Sequence, residues 1–420
     1  MKFIHSADVH LDSPLRGLER YEGAPVDAIR GASRRAFQNL IQLAIDEEVA
    51  FVLLAGDLFD GDWRDYNTGL FFIRQIARLH DAGIRVFFAA GNHDAASQMT
   101  KTLRPPPNLH LFATRAAESV LLEDLGVLIH GQGFASRAVT EDLTARYPLA
   151  DPALFNIGLL HTALDGRSGH ETYAPCTLDG LRSRGYHYWA LGHVHRREIV
   201  AEDPWVVFPG NLQGRHARET GAKGCSLVRV EAGQVASVEH RALDLVRWSR
   251  CELDVSEAQT LDEVYDLLMP ALADVLHAAE GRLVAVRVRL HGACSIHRQL
   301  RAERERVINE CRSLAQTIGS GAIWIERLVL ETRPSVSEAS ALARDDAFSG
   351  LLRSIRDLEL DSDRLAMLAE DFADLSTKLP IELRSGPDPI DPSAPEQICA
   401  RLEDAKALLL ERLLREGHQQ

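Results

Sequence analysis

Short apolar runs recur along the first part of the chain, and each ends in a cluster of histidine, aspartate, asparagine or glycine. We predict a buried strand in each run, at residues 2–7, 51–55, 86–90, 156–160 and 187–191. Helical spacing of apolar residues at 28–48 and 68–82 separates the early runs, so strands and helices alternate. Because open α/β sheets bind ligands at the carboxyl ends of their strands, the polar clusters should lie together.

The apolar pattern divides the chain into three parts. Residues 1–245 form a first α/β domain, which further strands complete at 205–208, 225–230 and 235–240. Residues 246–333 alternate strand and helix, which predicts a small α+β domain. Residues 334–420 are predicted to form a helical tail that contains a proline-rich linker at 380–395.

The tail ends in an amphipathic helix, because apolar residues recur there at steps of three and four. They are Ile398, Leu402, Ala405, Leu409 and Leu413, and a wider face adds Leu408, Leu410 and Leu414. Such a face needs something to cover it. Two packing partners remain open for this face: the helical segment 334–379 of the same chain, and a groove on another protein.

The polar clusters supply side chains with the chemistry of metal ligands: Asp8, His10, Asp57, Asn92, His161, His193 and His195. Carboxylate, amide and imidazole groups together suit borderline or hard divalent cations. A two-metal phosphoester site needs a carboxylate that bridges cations about 3.5–4 Å apart, and Asp57 is the predicted bridge. If all of these were turn residues and core histidines instead, many buried polar groups would need hydrogen-bond partners.

The order of these clusters is similar to that of the motifs of calcineurin-like metallophosphoesterases over residues 1–245. The motifs are Asp8-Val9-His10, Gly56-Asp57, Gly91-Asn92-His93-Asp94, His161 and Gly192-His193-Val194-His195. The resemblance implies an α/β fold, a β-sandwich flanked by helices (αββα), followed here by the small α+β domain as a cap and by the helical tail.

The resemblance also implies a role for each residue of the motifs. One divalent ion would be held by Asp8, His10, Asp57 and His195. The other would be held by Asp57, Asn92, His161 and His193. This leaves His93 for catalysis, since its imidazolium can stabilise phosphoryl oxygens or protonate the leaving alkoxide, and Asp94 would orient that imidazole. The imidazole-rich set favours Mn²⁺ over Mg²⁺, which prefers oxygen ligands.

Two departures separate the chain from the protein phosphatases of this superfamily. Those usually carry Asp-Arg-Gly after the second motif and Glu after Asn-His, whereas this chain has Asp60-Gly61-Asp62 and Asp94. Segments 3–11 and 56–60 and the added C-terminal region are similar instead to DNA repair exonucleases of the SbcD and YhaO type. That resemblance implies DNA as substrate, an SbcC-type ABC ATPase with a coiled coil as partner, and a homodimer.

Three classes of function remain open at this stage. The first is a nuclease that hydrolyses DNA phosphodiesters with two metal ions. The second is a phosphodiesterase or phosphatase that acts on a nucleotide or another small molecule. The third is a binding module whose metal site only scaffolds an assembly, and His93 argues against it because a scaffold needs no catalytic histidine.

The segment 209–216 is the predicted substrate contact. Its glycines permit close backbone approach, and Asn211, Arg215 and His216 could reach a phosphate. Other basic residues could serve a DNA backbone or simply face solvent: Arg30, Arg34, Arg35, Arg196, Arg197, Arg218 and Lys223. Trp63, Arg64 and Tyr66 could stack on a base or pack their own loop.

Composition indicates how such a protein could contact DNA and where in the cell it would act. The net charge of −14 argues against a passive nucleic-acid binder, so any DNA contact should be local, metal-assisted or shared with a partner. The six cysteines are scattered without a C-x-x-C pair. The first residues lack a signal-peptide pattern, and no apolar run approaches the ~20 residues that span a bilayer. We therefore expect a cytoplasmic protein without membrane contact.

Overall fold

The structure is a computed structural model that describes residues 1–13, 23–60, 66–96, 105–165, 173–334, 347–358, 360–384 and 389–416. Its strands are β1 Lys2–Ser6, β2 Phe51–Leu54, β3 Arg85–Phe88, β4 Leu109–Leu111, β5 Glu118–Leu122, β6 Val127–Gly131, β7 Phe155–His161, β8 Tyr188–Gly192, β9 Glu198–Glu202, β10 Trp205–Phe208, β11 Gly224–Glu231, β12 Gln234–Ala242, β13 Val246–Asp254, β14 Leu283–Cys294 and β15 Ile323–Pro334. The strands predicted beside the polar clusters therefore occur, within two residues of their predicted bounds.

The helices flank and follow these strands. They are α1 Val26–Asp46, α2 Tyr66–Asp81, α3 Asn92–Ala96, α4 Leu178–Arg182, α5 Leu261–Ala278, α6 His297–Ala302, α7 Arg304–Gly319, α8 Ala347–Arg356, α9 Ser362–Lys378, α10 Ile381–Arg384 and α11 Pro395–Glu416, with a 3₁₀ turn at Leu143–Arg146. Within the described part of the chain, no helix combines the length and apolarity needed to cross a membrane.

Two six-stranded sheets form the centre of the first part of the chain. The first has the order β12-β11-β1-β2-β3-β4 and the second β5-β6-β7-β8-β10-β9. Their facing sides share one apolar core, to which Phe3 and Phe51 contribute from the first sheet and Ile157 and Tyr188 from the second. Because side chains alternate across a strand, the neighbouring residues of each strand face outward instead.

Helices and turns cover the outward faces of both sheets. On the first sheet, α1 and α2 bury Phe37 and Phe72 in one core cluster with Ile4 and Leu54. On the second sheet, Trp189 packs in a core cluster with Tyr147, which follows the 3₁₀ turn, and with Leu181 of α4. The predicted β-sandwich with covering helices is therefore confirmed.

Contacts divide the chain into two units. The first contains Met1–Ser249, Val275–Val286 and Ala322–Trp324, and the second contains Arg250–Asp274, Arg287–Gly321 and Ile325–Gln420. β13, β14 and β15 form a three-stranded sheet, as the strand and helix alternation after residue 245 predicted. The division into three domains with boundaries at 245 and 333 stays a prediction.

The terminal helix α11 packs within the second unit against α8 and α9. Ile398 is buried, and Ile398 and Leu402 line an apolar groove together with Leu368 and Phe372 of α9. Ala405, Leu408 and Leu409 are exposed. The helix therefore packs on the other helices of its own chain with only part of the predicted apolar face. Ile398 and Leu402 point towards those helices, whereas Ala405 and Leu409 point to solvent.

Candidate metal centre

The predicted metal ligands lie where parallel strands of the two sheets end. β1 and β2 pair in parallel with Ser6 opposite Leu54, so the loops that carry Asp8 and Asp57 leave the first sheet side by side. β7 and β8 pair in parallel with His161 opposite Gly192, which places His161 beside the loop of His193. Since parallel neighbours end on the same side, residues far apart in sequence converge here.

The backbone at this edge adopts an unusual conformation at four of the predicted ligands. The φ angle is 50° at Asp8, 45° at His10, 52° at Asp57 and 102° at His193. Positive φ is uncommon for residues with a side chain and costs on the order of 1–3 kcal/mol each. Such strain persists when the surrounding fold imposes it, and it clusters at functional sites.

Two glycines are required for the loops at this edge to pack this closely. A Cβ on Gly192 would lie 1.7 Å from the carbonyl oxygen of Ala55, and a Cβ on Gly91 would lie 2.4 Å from Asp57 Oδ1. Both positions therefore admit only a hydrogen atom. The glycines of the sequence motifs serve the packing that brings the ligands together.

The ligand atoms form a continuous cluster. Donor atoms of Asp8, His10 and His195 all lie within 4.8 Å of one another, and so do those of Asp8, Asp57 and His161. His10 Nε2 is 3.3 Å from His195 Nε2, and His161 Nε2 is 3.0 Å from Asn92 Oδ1. The His193 ring lies beside that of His161, with centroids 5.2 Å apart. The structure thus brings all seven predicted ligands to one place.

The hydrogen bonds of His161 fit a cation at this place. Its Nδ1 lies 2.9 Å from the carbonyl oxygen of Ala55, which only accepts, so Nδ1 carries a proton and the metal-binding form of the ring would keep its lone pair at Nε2. Nε2 is then an acceptor, yet it faces Asn92 Oδ1 at 3.0 Å and Asp57 Oδ2 at 3.5 Å. Convergent acceptors without a proton between them are what a metal ion satisfies.

The two carboxylates fit a divalent cation as well. Asp8 and Asp57 are almost completely buried. Burial, together with the negative charge of Asp57, raises the pKa of Asp8 well above its ordinary value. A bound divalent ion would reverse this effect, because it stabilises both carboxylates in the charged form.

The carboxylate partner of His93 is Asp60. His93 Nδ1 lies 2.9 Å from Asp60 Oδ1, and Ser13 Oγ donates to Asp60 Oδ2 at 2.6 Å. Burial lowers the pKa of His93, but the carboxylates of Asp60 and Asp57 together outweigh it and the net shift is upward. Sequence reasoning used Asp60 only to compare the chain with related families and gave it no role beside His93, although its place three residues after Asp57 was a usable signal.

The structure corrects the predicted role of Asp94. Its carboxylate is fully buried and accepts hydrogen bonds from the backbone N–H groups of Phe59 and Gly91, both at 2.9 Å. In the first turn of α3 the side chain turns back towards these N–H groups, so it joins two ligand loops instead of orienting His93. Burial and the nearby Asp57 raise the pKa of Asp94 to about 7.

The predicted substrate contacts lie beside the cluster, with different roles. Asn211 is fully buried and donates to Glu219 Oε2 at 2.9 Å and to the carbonyl oxygen of Gln213, so it differs from the expected phosphate contact. Arg215 lies 4.0 Å from Asp60 Oδ2 and keeps a side-chain exposure of 20%, so it can reach a substrate. His216 Nε2 lies 3.6 Å from Glu219 Oε1.

Among the other basic residues, Lys223 lies at this edge, where its Nζ donates to the carbonyl oxygen of His195 at 2.9 Å. Arg34 forms a two-pronged ion pair with Asp12, which lies two residues after His10. Tyr66 is exposed at the start of α2. Trp63 and Arg64 lie outside the described residues. Sequence reasoning missed Glu219, because only the fold places it against His195.

Comparison with known proteins agrees with this site. Residues 1–197 match the family described as Calcineurin-like phosphoesterase, and residues 248–333 match the family described as Metallophosphoesterase YhaO, middle domain. The chain belongs to the calcineurin-like metallophosphoesterases, hydrolases of phosphoester bonds that use divalent metal ions. Within them it belongs with YhaO.

Two relatives and one solved structure are similar to this chain. The uncharacterized metallophosphoesterase YhaO of Bacillus subtilis is 34% identical over 84% of this chain and 87% of its own length. The DNA double-strand break repair protein Mre11 of Methanopyrus kandleri is 26% identical over 61% of this chain and 59% of its own length. The crystal structure of TT1561 of Thermus thermophilus aligns with a TM-score of 0.33 and 14% identity, over 57% of this chain and 98% of that chain.

Proposed function

We propose that this protein is a metal-dependent DNA nuclease, an exonuclease that hydrolyses phosphodiester bonds with two divalent ions. The cluster of seven buried or half-buried ligands at one sheet edge is the observation that carries this proposal. The name of the Methanopyrus kandleri relative, a DNA double-strand break repair protein, supports DNA as the substrate class. We expect the enzyme to act in DNA repair in the cytoplasm.

The chemistry of the donors supports the division of ligands that the family resemblance implies. Asp8, His10, Asp57 and His195 would hold one ion, and Asp57, Asn92, His161 and His193 the other. Bound ions would supply a nucleophile at neutral pH and neutralise the charge that develops on the phosphate. Mn²⁺ is the proposed metal, because four imidazoles suit it better than Mg²⁺.

The remaining residues at the edge complete the proposed reaction. His93 holds a proton on its ring through the Asp60 contact at 2.9 Å, and with 29% side-chain exposure it can reach a substrate. The imidazolium would pass the proton on Nε2, the nitrogen that does not face Asp60, to the leaving alkoxide. Arg215 would hold a phosphate oxygen, since its guanidinium lies at the same place and can donate two hydrogen bonds. It would place one positive charge beside the phosphate in a chain whose net charge is −14.

The decisive experiment compares substrates for the purified protein in Mn²⁺. Labelled linear duplex DNA, circular duplex DNA, bis-p-nitrophenyl phosphate and nucleotides would be incubated in parallel, with Asp57→Ala as the matched inactive control. We expect cleavage of linear DNA from its ends and of the small diester. Cleavage of nucleotides or small esters without DNA would reject the nuclease and favour a small-molecule phosphodiesterase or phosphatase.

We also propose an ABC-type ATPase with a coiled coil as partner, which would bind the exposed side of α11, and a homodimer as the working state. Leu408 and Leu409 support this site, since they are 61% and 49% exposed on a helix whose other side is covered. An amphipathic helix with free apolar residues suits a groove on another protein.

A truncation after Arg384 tests the partner proposal, and the pair Leu408→Ala and Leu409→Ala tests it without removing α11. Both variants should keep cleavage of bis-p-nitrophenyl phosphate, because every proposed ligand precedes residue 196, and both should lose co-purification with the ATPase. Light scattering reports the dimer. Partner binding by the double variant at the wild-type level would reject this site.

A further inference from the structure

Glu219 lies against one of the proposed metal ligands although sequence reasoning gave it no role. Glu219 Oε1 is 2.6 Å from His195 Nδ1, the shortest contact of that ring with a carboxylate among those described. His195 Nε2, on the opposite side of the ring, lies 3.3 Å from His10 Nε2 and 3.8 Å from Asp8 Oδ1. The ring therefore connects the carboxylate with the ligand cluster.

The surroundings of Glu219 keep its carboxylate charged. Glu219 Oε2 accepts hydrogen bonds from Asn211 Nδ2 at 2.9 Å and from the backbone N–H of Arg215 at 2.7 Å. Oε1 accepts from His195, and Arg215 Nη2 lies 3.5 Å away. A buried carboxylate with donors on both oxygens behaves as an acceptor only, so the proton in the short contact belongs to His195 Nδ1.

The position of that proton decides what the other nitrogen can do. A neutral imidazole with its proton on Nδ1 presents a lone pair at Nε2, which is the form that binds metals. Arg215 Nη2 also lies 3.4 Å from His195 Nδ1. The guanidinium nitrogen can only donate and its contact is the longer one, so the shorter contact with Glu219 determines the tautomer of His195. The backbone of His195 is held too, because Lys223 Nζ donates to its carbonyl oxygen at 2.9 Å.

We propose that Glu219 is a positioning residue of the metal centre, which fixes the tautomer and orientation of His195 so that Nε2 binds a divalent ion. The inference rests on the proposed assignment of His195 as a ligand. Hydrogen-bond partners of this kind raise the metal affinity of the histidine, and their loss costs roughly 10–100-fold in affinity.

The substitution Glu219→Gln separates this role from simple packing, because it preserves size. If the amide oxygen faces His195, the amide NH₂ must face the donors Asn211 Nδ2 and Arg215 N. If the amide is reversed, its NH₂ faces His195 Nδ1 and drives the proton to Nε2, where it blocks the metal. Both orientations of the amide weaken the hydrogen bond that positions His195. Glu219→Asp keeps a carboxylate acceptor, so it should retain part of the metal affinity that Glu219→Gln loses.

The matched control is Asp244→Asn. Asp244 is a buried carboxylate of the same unit that pairs with Arg247 and Arg282 at 3.1 and 3.0 Å, and it has no part in the proposed centre. Both substitutions remove one charge from a buried ion pair, so both should lower the melting temperature. Only the change at Glu219 should affect metal binding.

The test is a calorimetric titration of metal-stripped protein with Mn²⁺. Glu219→Gln should weaken one of two sites roughly 10–100-fold, while Asp244→Asn binds as the wild type does. In a His195→Ala background the same change should have less than about a twofold effect, because coupled residues are not additive. Equal Mn²⁺ affinity of Glu219→Gln and wild type would overturn the inference alone, whereas a wild type that binds no Mn²⁺ would overturn the proposed function. An equal loss in Asp244→Asn would reduce Glu219 to a structural residue.

Discussion

The contact between His93 and Asp60 yields the sharpest prediction about catalysis. Asp60→Asn removes the negative charge beside His93 Nδ1 and keeps the size of the side chain. In the wild type this charge stabilises the protonated ring, and together with the charge of Asp57 it outweighs the effect of burial on the His93 pKa. Removing it must lower that pKa, so the protonated form disappears at a lower pH than in the wild type.

The magnitude follows from the geometry of the contact. The two atoms lie 2.9 Å apart, and the side chains are 29% and 17% exposed, so solvent screens the pair only in part. A hydrogen bond to a charged group is worth about 1.5–3 kcal/mol. At about 1.4 kcal/mol per pKa unit, the pKa of His93 should fall by roughly one to two units. Bound metal ions affect the His93 pKa in the wild type and in Asp60→Asn alike, so the difference in pKa between the two enzymes remains.

The assay is the pH profile of kcat for bis-p-nitrophenyl phosphate at saturating Mn²⁺. The alkaline limb should move by about one to two pH units towards lower pH, and kcat on the plateau should fall because His93 loses its orientation. The metal content of Asp60→Asn must be measured together with its pH profile, because Asp60 Oδ1 also lies 3.7 Å from Nδ1 of the proposed ligand His10.

Two results would refute this reasoning. An alkaline limb at the same pH in both enzymes would show that His93 is not the group that donates the proton to the leaving alkoxide. Loss of a metal ion from Asp60→Asn would make Asp60 a ligand, which its grouping with His10 and His93 would then explain.

Three further predictions concern the ligands and the packing behind them. His93→Ala should keep both metals in elemental analysis while turnover falls by roughly 10²-fold or more, and loss of a cation would instead make it a ligand. Asp57→Ala should lose bound metal together with turnover, and retention of two ions by this variant would contradict its role as bridge. Gly192→Ala should lower the melting temperature strongly, because its Cβ would lie 1.7 Å from the Ala55 carbonyl oxygen, whereas Gly31→Ala in α1 has open space and should be neutral or stabilising. Equal melting temperatures of the two glycine variants would show that the sheets can separate without cost.

The strands and the ligand set could be predicted from the sequence for a physical reason. Strands buried on both faces are apolar along their length, so β2 and β8 stand out against the polar residues that follow them. Asp57 follows β2 after two residues and His193 follows β8 directly, so each sheet places its own ligand at the carboxyl ends of its parallel strands.

The hydrogen-bond partners of these ligands could not be predicted in the same way. Asp60 and Asp94 are both near His93 in the fold, and only the start of α3 decides that Asp94 turns to the N–H groups of Phe59 and Gly91. Glu219 reaches His195 across 24 residues of sequence, and its other contact holds Asn211. Such pairs depend on how loops fold back, which apolar periodicity does not encode.

We propose that this edge of the two sheets holds two divalent ions and that hydrolysis requires both. Chelator-treated protein would be titrated with Mn²⁺ while bound metal and cleavage of bis-p-nitrophenyl phosphate are followed in the same samples. We predict no cleavage without metal, two ions bound per chain at saturation, and activity that rises as the second site fills. Full activity in excess chelator, or saturation without a second bound ion, would show that hydrolysis does not depend on two metal ions.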